Sequence, residues 1–189
     1  MFGPASPFIQ LVGYHLEIRV FIKSFGQFWR AEEVDWFPGK GNKNAFRLLG
    51  RQGTNLPGVR LADFRFMQGI YILYGNHGPY YTGLTMEQGL GKRLQDHLSD
   101  QHGEKWDRFS WFGFQKVLKR KDKFNICELR NVAGIAVGEP TTVIRDVEAL
   151  LIRAMGLTNI SQTQFAKGDE WFQVYDHEVV HYLEKVRKK

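Results

Sequence analysis

Residues 69–98 constrain the fold of this chain more than any other stretch, because a strand-like alternation is followed directly by a helix-like spacing. Ile70 and Ile72 alternate with other residues up to the turn sequence Gly-Asn-His-Gly-Pro at 75–79, which predicts a β-hairpin. After the hairpin, leucines recur at every fourth position and form one apolar stripe: Leu90, Leu94 and Leu98. The stretch therefore predicts a β-hairpin followed by an amphipathic helix.

The same stretch can bring four polar side chains together. Tyr71 and Tyr81 belong to the two halves of the predicted hairpin. Arg93 and His97 are four residues apart in the predicted helix, so they lie one turn apart on the flank of the leucine stripe. We therefore expect two tyrosines, an arginine and a histidine to converge on one place.

The order of these residues resembles the GIY-YIG nuclease family. Gly69-Ile70-Tyr71 is similar to the first motif of that family and Tyr81-Thr82-Gly83 to the second, with nine residues between the two tyrosines. Thr82 replaces the isoleucine of the second motif, which is a mild departure because the flanking tyrosine and glycine carry the chemistry. Further along, Glu148 and Asn159 resemble the glutamate and asparagine of the family. The resemblance covers about residues 69–160.

The resemblance implies a metal-dependent DNA endonuclease. It implies Mg²⁺ or Mn²⁺ bound to Glu148, where a hard cation that keeps several waters needs few protein oxygens. Arg93 would bind the phosphate, and Tyr71 would act as general base, with its phenolate stabilised by Arg93 and the metal. The remaining expected site residues are Tyr81, which would hydrogen-bond the water or phosphate, His97, which would relay a proton, orient Tyr71 or serve only structurally, and Asn159, which would support Glu148 or the substrate.

We expect an α+β fold with a small antiparallel sheet of three strands, flanked by the helices of Arg93 and Glu148. The third strand would run through 106–114, and the Glu148 helix would bury an apolar stripe: Val143, Ile144, Val147, Leu150, Leu151 and Met155. The predicted organisation is a basic N-terminal extension (1–68), a nuclease-like domain (69–160) and a C-terminal helical segment (161–189).

The charge distribution favours a polyanionic partner. The net charge is +6, and residues 1–68 hold nine Lys/Arg against five Asp/Glu. Residues 38–60 are rich in glycine and contain no acidic residue. The candidate DNA contacts are basic side chains of this segment and of a later basic run, either of which could instead be a solvated surface: Lys40, Lys43, Arg47, Arg51, Arg60, Lys119, Arg120 and Lys121.

Composition bounds the cellular setting. A single cysteine, Cys127, excludes an intramolecular disulfide and a cysteine-based zinc cage, and it fits a reducing cytosol. No stretch reaches the roughly 20 apolar residues of a membrane span. We therefore expect a cytoplasmic protein that binds DNA and no membrane. A homodimer would provide the two active sites needed to cut both strands at once.

Two other functions each fit part of the sequence. The first is a DNA-binding module that keeps the nuclease fold without cleaving, which would have no chemical need for all four of Tyr71, Tyr81, Arg93 and Glu148. The second is a zinc metalloprotease, because residues 177–181 fit the pattern H-E-x-x-H. Helical spacing predicts that His177 and His181 face solvent, with no downstream histidine as third ligand. Among nucleases, the flanking additions favour a restriction-type or defence enzyme.

Overall fold

The computed structural model describes residues 22–38, 46–55, 57–85, 88–130, 140–155, 165 and 168–187, and within 140–155 the side chains of 146, 147 and 149–155. The described residues form two five-stranded sheets and three α-helices. The predicted α+β fold, with one small three-stranded sheet flanked by helices, is wrong. Strands from before residue 69 and after residue 160 enlarge the first sheet, and they pair with a hairpin at 117–129 to form the second.

The first sheet has the strand order β5-β4-β6-β1-β9. Its hairpin consists of β4 (Gly69–Gly75) and β5 (Gly78–Thr85), and β6 (Arg108–Gly113) pairs antiparallel with the other edge of β4. The N-terminal strand β1 (Ser24–Arg30) pairs antiparallel with β6, and the short β9 (Asp169–Glu170) runs parallel to β1. The predicted hairpin and third strand are thus neighbours, inside a wider sheet.

The second sheet has the order β10-β2-β3-β8-β7 and consists of strands of two to five residues. Their bounds are β2 (Leu49–Gln52), β3 (Arg60–Asp63), β7 (Val117–Lys121), β8 (Cys127–Leu129) and β10 (Phe172–Gln173). The pair β7–β8 is an antiparallel hairpin, and β3 pairs parallel with β8. Strands from before residue 69 and after residue 160 therefore pair in both sheets, while the division into three domains stays a prediction.

Strand β4 is covered on both faces. Tyr71 and Leu73 belong to the apolar cluster between the two sheets, whereas Ile72 and Tyr74 belong to a cluster on the opposite face. Successive strand residues point to opposite faces, so a slip of one residue would exchange the two sets. Double coverage therefore fixes which β4 side chains face the second sheet, and Tyr71 is one of them.

Trp29 joins the two sheets. Its ring lies 5.5 Å from the ring of Trp111 in the first sheet and 5.9 Å from that of Phe64, which follows β3. Gly50 in β2 makes room for it, since an added Cβ there would lie 2.9 Å from the Trp29 ring. The aromatic segment 25–37 thus packs in the core through Trp29 and Trp36.

Helix α1 (Leu90–Asp96) occupies the position that the leucine stripe predicts. It begins after Gly89, whose φ of +77° suits glycine. The N–H groups of Leu90 and Gly91 donate to the carbonyl oxygens of Met67 and Arg65, both at 2.9 Å. Leu90 and Leu94 are buried, so α1 packs on the Tyr71 side of the first sheet.

Helix α2 (Pro140–Met155) packs on the other face of that sheet, with a different side from the predicted one. Val147, Leu151 and Met155 are 44%, 52% and 57% exposed, so the predicted apolar stripe is wrong for these three residues. The small Ala149 and Ala154 are buried instead, because the facing sheet surface already carries large rings: Phe25, Tyr74 and Phe112.

The expected C-terminal helix is α3 (Val179–Arg187), which buries Tyr182 and Val186 against the second sheet. No helix in the described part of the chain is long and apolar enough to cross a membrane.

Replacing Trp29 by alanine should destabilise the protein by about 3–5 kcal/mol, because the substitution leaves a cavity between the sheets. The free energy of unfolding can be measured by urea titration. The matched control is Phe37→Ala, at an aromatic residue that is 66% exposed and should cost less than about 0.5 kcal/mol. Equal losses in both variants would contradict the joining role of Trp29.

Candidate active site

Tyr71 lies in the middle of β4, directly across from Gly83 of β5. Its side chain is fully buried, and its ring crosses over Gly83 so closely that an added Cβ would lie 2.1 Å from the Tyr71 hydroxyl oxygen. No side chain larger than hydrogen fits there unless the ring moves. Gly83, the glycine of the second motif, therefore leaves free the space that the Tyr71 ring occupies.

A chain of hydrogen bonds connects Tyr71 to a carboxylate. The hydroxyl of Tyr71 lies 2.7 Å from Nε2 of His97, and Nδ1 of His97 lies 2.7 Å from Oδ2 of Asp100. An ionised carboxylate only accepts hydrogen bonds, so Nδ1 of His97 carries the proton and its N–H donates a hydrogen bond to Asp100. In the neutral imidazole, Nε2 then accepts the hydrogen bond from Tyr71. His97 is buried and follows α1, so the chain runs from the core to the surface.

Asp100 is held as a carboxylate in the turn after α1. Desolvation acts to raise its pKa, but hydrogen bonds from the backbone N–H of His102 and from the His97 ring outweigh this, so the pKa lies below its usual value. The His102 N–H donates to Oδ1 at 2.7 Å, leaving Oδ2 for His97. Asp100 therefore fixes the His97 tautomer that accepts from Tyr71.

Tyr81 closes the site from the second strand of the hairpin. Its ring centroid lies 6.1 Å from that of Tyr71, 5.1 Å from that of His97 and 4.5 Å from that of His102. The hydroxyl oxygen of Tyr80 lies 3.2 Å from Nδ1 of His102. Tyr81 is half-buried, and both its charge and its hydrogen bonding act to raise the pKa of Tyr71.

Arg93 lies beside Tyr71. It is half-buried on α1, and both its charge and its hydrogen bonding act to lower the pKa of Tyr71. Its Nε is buried and finds no hydrogen-bond partner among the described residues. A buried guanidinium donor without an acceptor is costly, and a phosphate oxygen is the kind of acceptor that Arg suits best.

The structure brings Tyr71, Tyr81, Arg93 and His97 together. However, the pKa of Tyr71 is too high for its side chain to be ionised and act as a general base by itself. The pKa of Tyr71 is raised to about 12. Burial is the largest cause and the neighbouring Tyr81 the second, and Arg93 only partly offsets the shift. At pH 7 about one molecule in 10⁵ would carry an ionised Tyr71. Tyr71 is therefore a phenol in the free protein, and its hydroxyl donates a hydrogen bond to His97.

The predicted metal ligand is only partly described. Glu148 lies on α2, a helix that approaches β5, and its side chain is outside the described residues. Asn159 also lies outside them. Within the described part of the chain, one group of three metal-ligating side chains lies close together: His97, Asp100 and His102. Two ring nitrogens and one carboxylate do not fit Mg²⁺, which prefers oxygen ligands, so an Mg²⁺ site still rests on the prediction for Glu148.

Most of the predicted DNA-contact arginines pack against aromatic rings. The guanidinium of Arg47 lies 4.8 Å from the Phe124 ring centroid, that of Arg51 5.3 Å from Tyr182, and that of Arg60 5.3 Å from Trp171. Lys119 and Arg120 are exposed and Lys121 is half-buried on β7, where Arg120 pairs with Glu128. Lys40 and Lys43 lie outside the described residues. DNA contact by these residues stays a prediction.

The H-E-x-x-H pattern at 177–181 does not form one helical face. Residues Asp176–Glu178 form a 3-10 turn before α3. The carboxylate of Glu178 accepts the Tyr175 N–H at 3.2 Å, which caps the turn, and His177 lies 3.8 Å from Glu33. His177 and His181 therefore lack the shared face and the free glutamate that a zinc protease needs.

Sequence reasoning missed Asp100, His102 and Tyr80. The segment 96–102 reads DHLSDQH, and the three-residue spacing from His97 to Asp100 was a usable signal, since it places both on one side of a helical turn. No pattern in the sequence predicted that Tyr80 would meet His102.

Gly83→Ala should break the Tyr71–His97 hydrogen bond and destabilise the protein by about 1–3 kcal/mol, because the new methyl group overlaps the Tyr71 ring. Urea titration measures the stability, and the NMR shift of His97 Nε2 reports the hydrogen bond. Gly58→Ala is the control, since the nearest atom to an added Cβ there lies 3.6 Å away. An unchanged His97 signal in Gly83→Ala would contradict the proposed contact.

Comparison with known proteins identifies no family. No family model matches the chain, and no solved structure matches it. Among curated proteins, a flagellin from Aquifex pyrophilus is similar, with 24% identity over 133 residues that cover 65% of this chain and 26% of the flagellin. The chain thus spans about a quarter of the length of this relative.

Proposed function

We propose that the chain is a divalent-metal-dependent endonuclease that hydrolyses phosphodiester bonds of DNA. The observation that carries the proposal is the buried Nε of Arg93, which has no hydrogen-bond partner among the residues that the structure describes. It lies beside Tyr71, the first residue of a hydrogen-bond chain to His97 and Asp100. A phosphodiester hydrolase needs both parts, an anion contact and a proton acceptor, within reach of one phosphorus atom.

Arg93 binds the scissile phosphate. The guanidinium remains charged at any relevant pH and offers a planar fork of donors to two phosphate oxygens. Because its Nε already lies buried with no partner in the described part of the chain, little reorganisation is needed when the phosphate arrives. A divalent ion on Glu148, when bound, would stabilise charge on the phosphate and on the leaving oxygen.

Tyr71 and His97 act on the attacking water as a relay. As the water attacks phosphorus, its proton moves to the Tyr71 oxygen while the Tyr71 proton moves to His97 Nε2. A free phenolate is therefore never required, which suits a phenol with a pKa of about 12. Asp100 stabilises the imidazolium that forms. The half-buried Tyr81 orients the water or the phosphate.

The enzyme can be tested with supercoiled plasmid DNA. We expect cleavage with Mg²⁺ or Mn²⁺ and none with EDTA. Arg93→Ala should slow cleavage about 10²- to 10³-fold, because it removes a donor to the transition state, and Glu148→Ala should abolish it. Lys92→Ala is the matched control, since Lys92 is exposed on the same helix and pairs with Asp96. Full activity in Arg93→Ala or Glu148→Ala would overturn the proposal.

Replacing Asp100 by asparagine should slow cleavage by roughly 10²-fold with DNA binding retained. The amide can donate to Nδ1 of His97, which forces the proton onto Nε2 and removes the acceptor of the Tyr71 proton. The ¹⁵N shifts of the His97 ring report this tautomer directly. Asp96→Asn, at a nearby carboxylate that pairs with Lys92, should leave both the shifts and the rate unchanged. An unaltered tautomer in Asp100→Asn would exclude the relay.

A structural role is the second candidate, and the similarity to a flagellin is the observation that favours it. Such a protein would neither cleave nor bind DNA, and Arg93→Ala would change nothing in the plasmid assay. Gel-shift binding without cleavage would instead favour a DNA-binding module. Cleavage of both strands by the wild type would make a homodimer, or sequential nicking, the next question.

A further inference from the structure

The turn that follows α1 gathers two imidazoles and a carboxylate. One ligand atom each from His97, Asp100 and His102 lies within 4.8 Å of the other two. The backbone holds the turn in shape, because the N–H of Asp100 donates to Asp96 and that of Gly103 donates to Asp100. The three side chains converge through local chain geometry, so they need no long-range rearrangement to meet.

Neighbouring rings hold the two histidines in position. Tyr81 packs against both imidazoles, and the Tyr80 hydroxyl lies 3.2 Å from the His102 ring. The rings of His97 and His102 are nearly perpendicular, at 88°, with their centroids 4.9 Å apart. Fixed rings lower the entropy cost of binding an ion between them.

The ligand set selects the class of ion. Imidazole nitrogens suit Zn²⁺ and its neighbours in the transition series, whereas Mg²⁺ prefers oxygen ligands. Three protein ligands plus a water are the usual shell of an open zinc site. Ligand atoms of a tetrahedral zinc ion stand about 3.3 Å apart, and His97 Nδ1 and Asp100 Oδ2 are 2.7 Å apart. A small movement of the 38% exposed Asp100 side chain would admit the ion.

We propose that His97, Asp100 and His102 bind one divalent transition-metal ion of the zinc class, and that this ion switches off the Tyr71 relay. The metal site is argued from the ligand geometry alone, whereas its effect on the Tyr71 relay rests on the proposed function. This site is distinct from the Mg²⁺ site predicted at Glu148, because it shares no ligand with it.

The switch follows from the two tautomers of the His97 ring, because the neutral imidazole carries its proton on only one of its two nitrogens. An ion on Nδ1 of His97 displaces the proton from Nδ1, so the neutral ring carries its proton on Nε2. Nε2–H then donates to the Tyr71 oxygen, 2.7 Å away, and reverses that hydrogen bond. His97 can no longer accept the Tyr71 proton. Zinc at the turn and proton transfer through Tyr71 are therefore mutually exclusive.

Binding is tested by isothermal titration calorimetry of the purified full chain with ZnCl₂, without DNA. We expect one Zn²⁺ per chain, with affinity at least tenfold weaker in His102→Gln and in Asp100→Asn. The control is the double variant His177→Gln/His181→Gln, which removes the exposed histidine pair near the C-terminus. Absence of zinc binding in the wild type, or its loss only in the control, would overturn the site.

The switch is tested by the ¹⁵N shifts of the His97 ring, which do not depend on nuclease activity. Added Zn²⁺ should move Nε2 from an acceptor to an N–H shift in the wild type and not in His102→Gln. If the plasmid is cleaved, Zn²⁺ should also inhibit the Mg²⁺-dependent rate of the wild type, each variant being compared with its own rate without zinc. An Nε2 signal that zinc leaves in its acceptor form would refute the switch, even if zinc binds.

Discussion

Packing on both faces of β4 is the constraint on which the rest of the structure depends. One face lies against the second sheet and the other against α2, so neither the register of the strand nor the side that Tyr71 faces can change without exposing a core. That register sets Tyr71 opposite Gly83 and aims its hydroxyl at His97. The position of the Tyr71 hydroxyl is thus a consequence of core packing, which is far more strongly determined than any single hydrogen bond.

The sequence predicted the parts of the molecule whose signals are local. The hairpin, α1 and β6 follow from alternation and leucine spacing, and with them the meeting of Tyr71, Tyr81, Arg93 and His97. The predicted fold class was wrong because strands such as β9 and β10 have two residues, too few to show alternation, and they pair with strands more than 100 residues away in the chain. The prediction of which side of α2 is buried was wrong because alanines contribute little to a hydrophobic pattern, although they allow a helix to lie close to large rings.

Burial gives Tyr71 a fixed position at the expense of its acidity. A solvent-exposed phenol would ionise more readily but would lose the contacts with Gly83 and His97 that orient it. The chain from Tyr71 to Asp100 resolves this conflict by supplying an acceptor inside the hydrogen-bonded network. Sequence spacing could reveal His97, whereas the raised pKa depends on the packing around Tyr71, which no local pattern encodes.

The pairing of β1 with β6 has a consequence for any attempt to shorten the protein. In the full chain, β6 is an interior strand, bonded to β4 on one side and to β1 on the other. A fragment beginning at residue 69 would turn β6 into an open edge that carries Phe109, Trp111 and Phe112, with its backbone N–H and C=O groups unsatisfied. Strands from other molecules can pair with an open aromatic edge, so we expect the nuclease-like segment 69–160 to aggregate when it is expressed by itself.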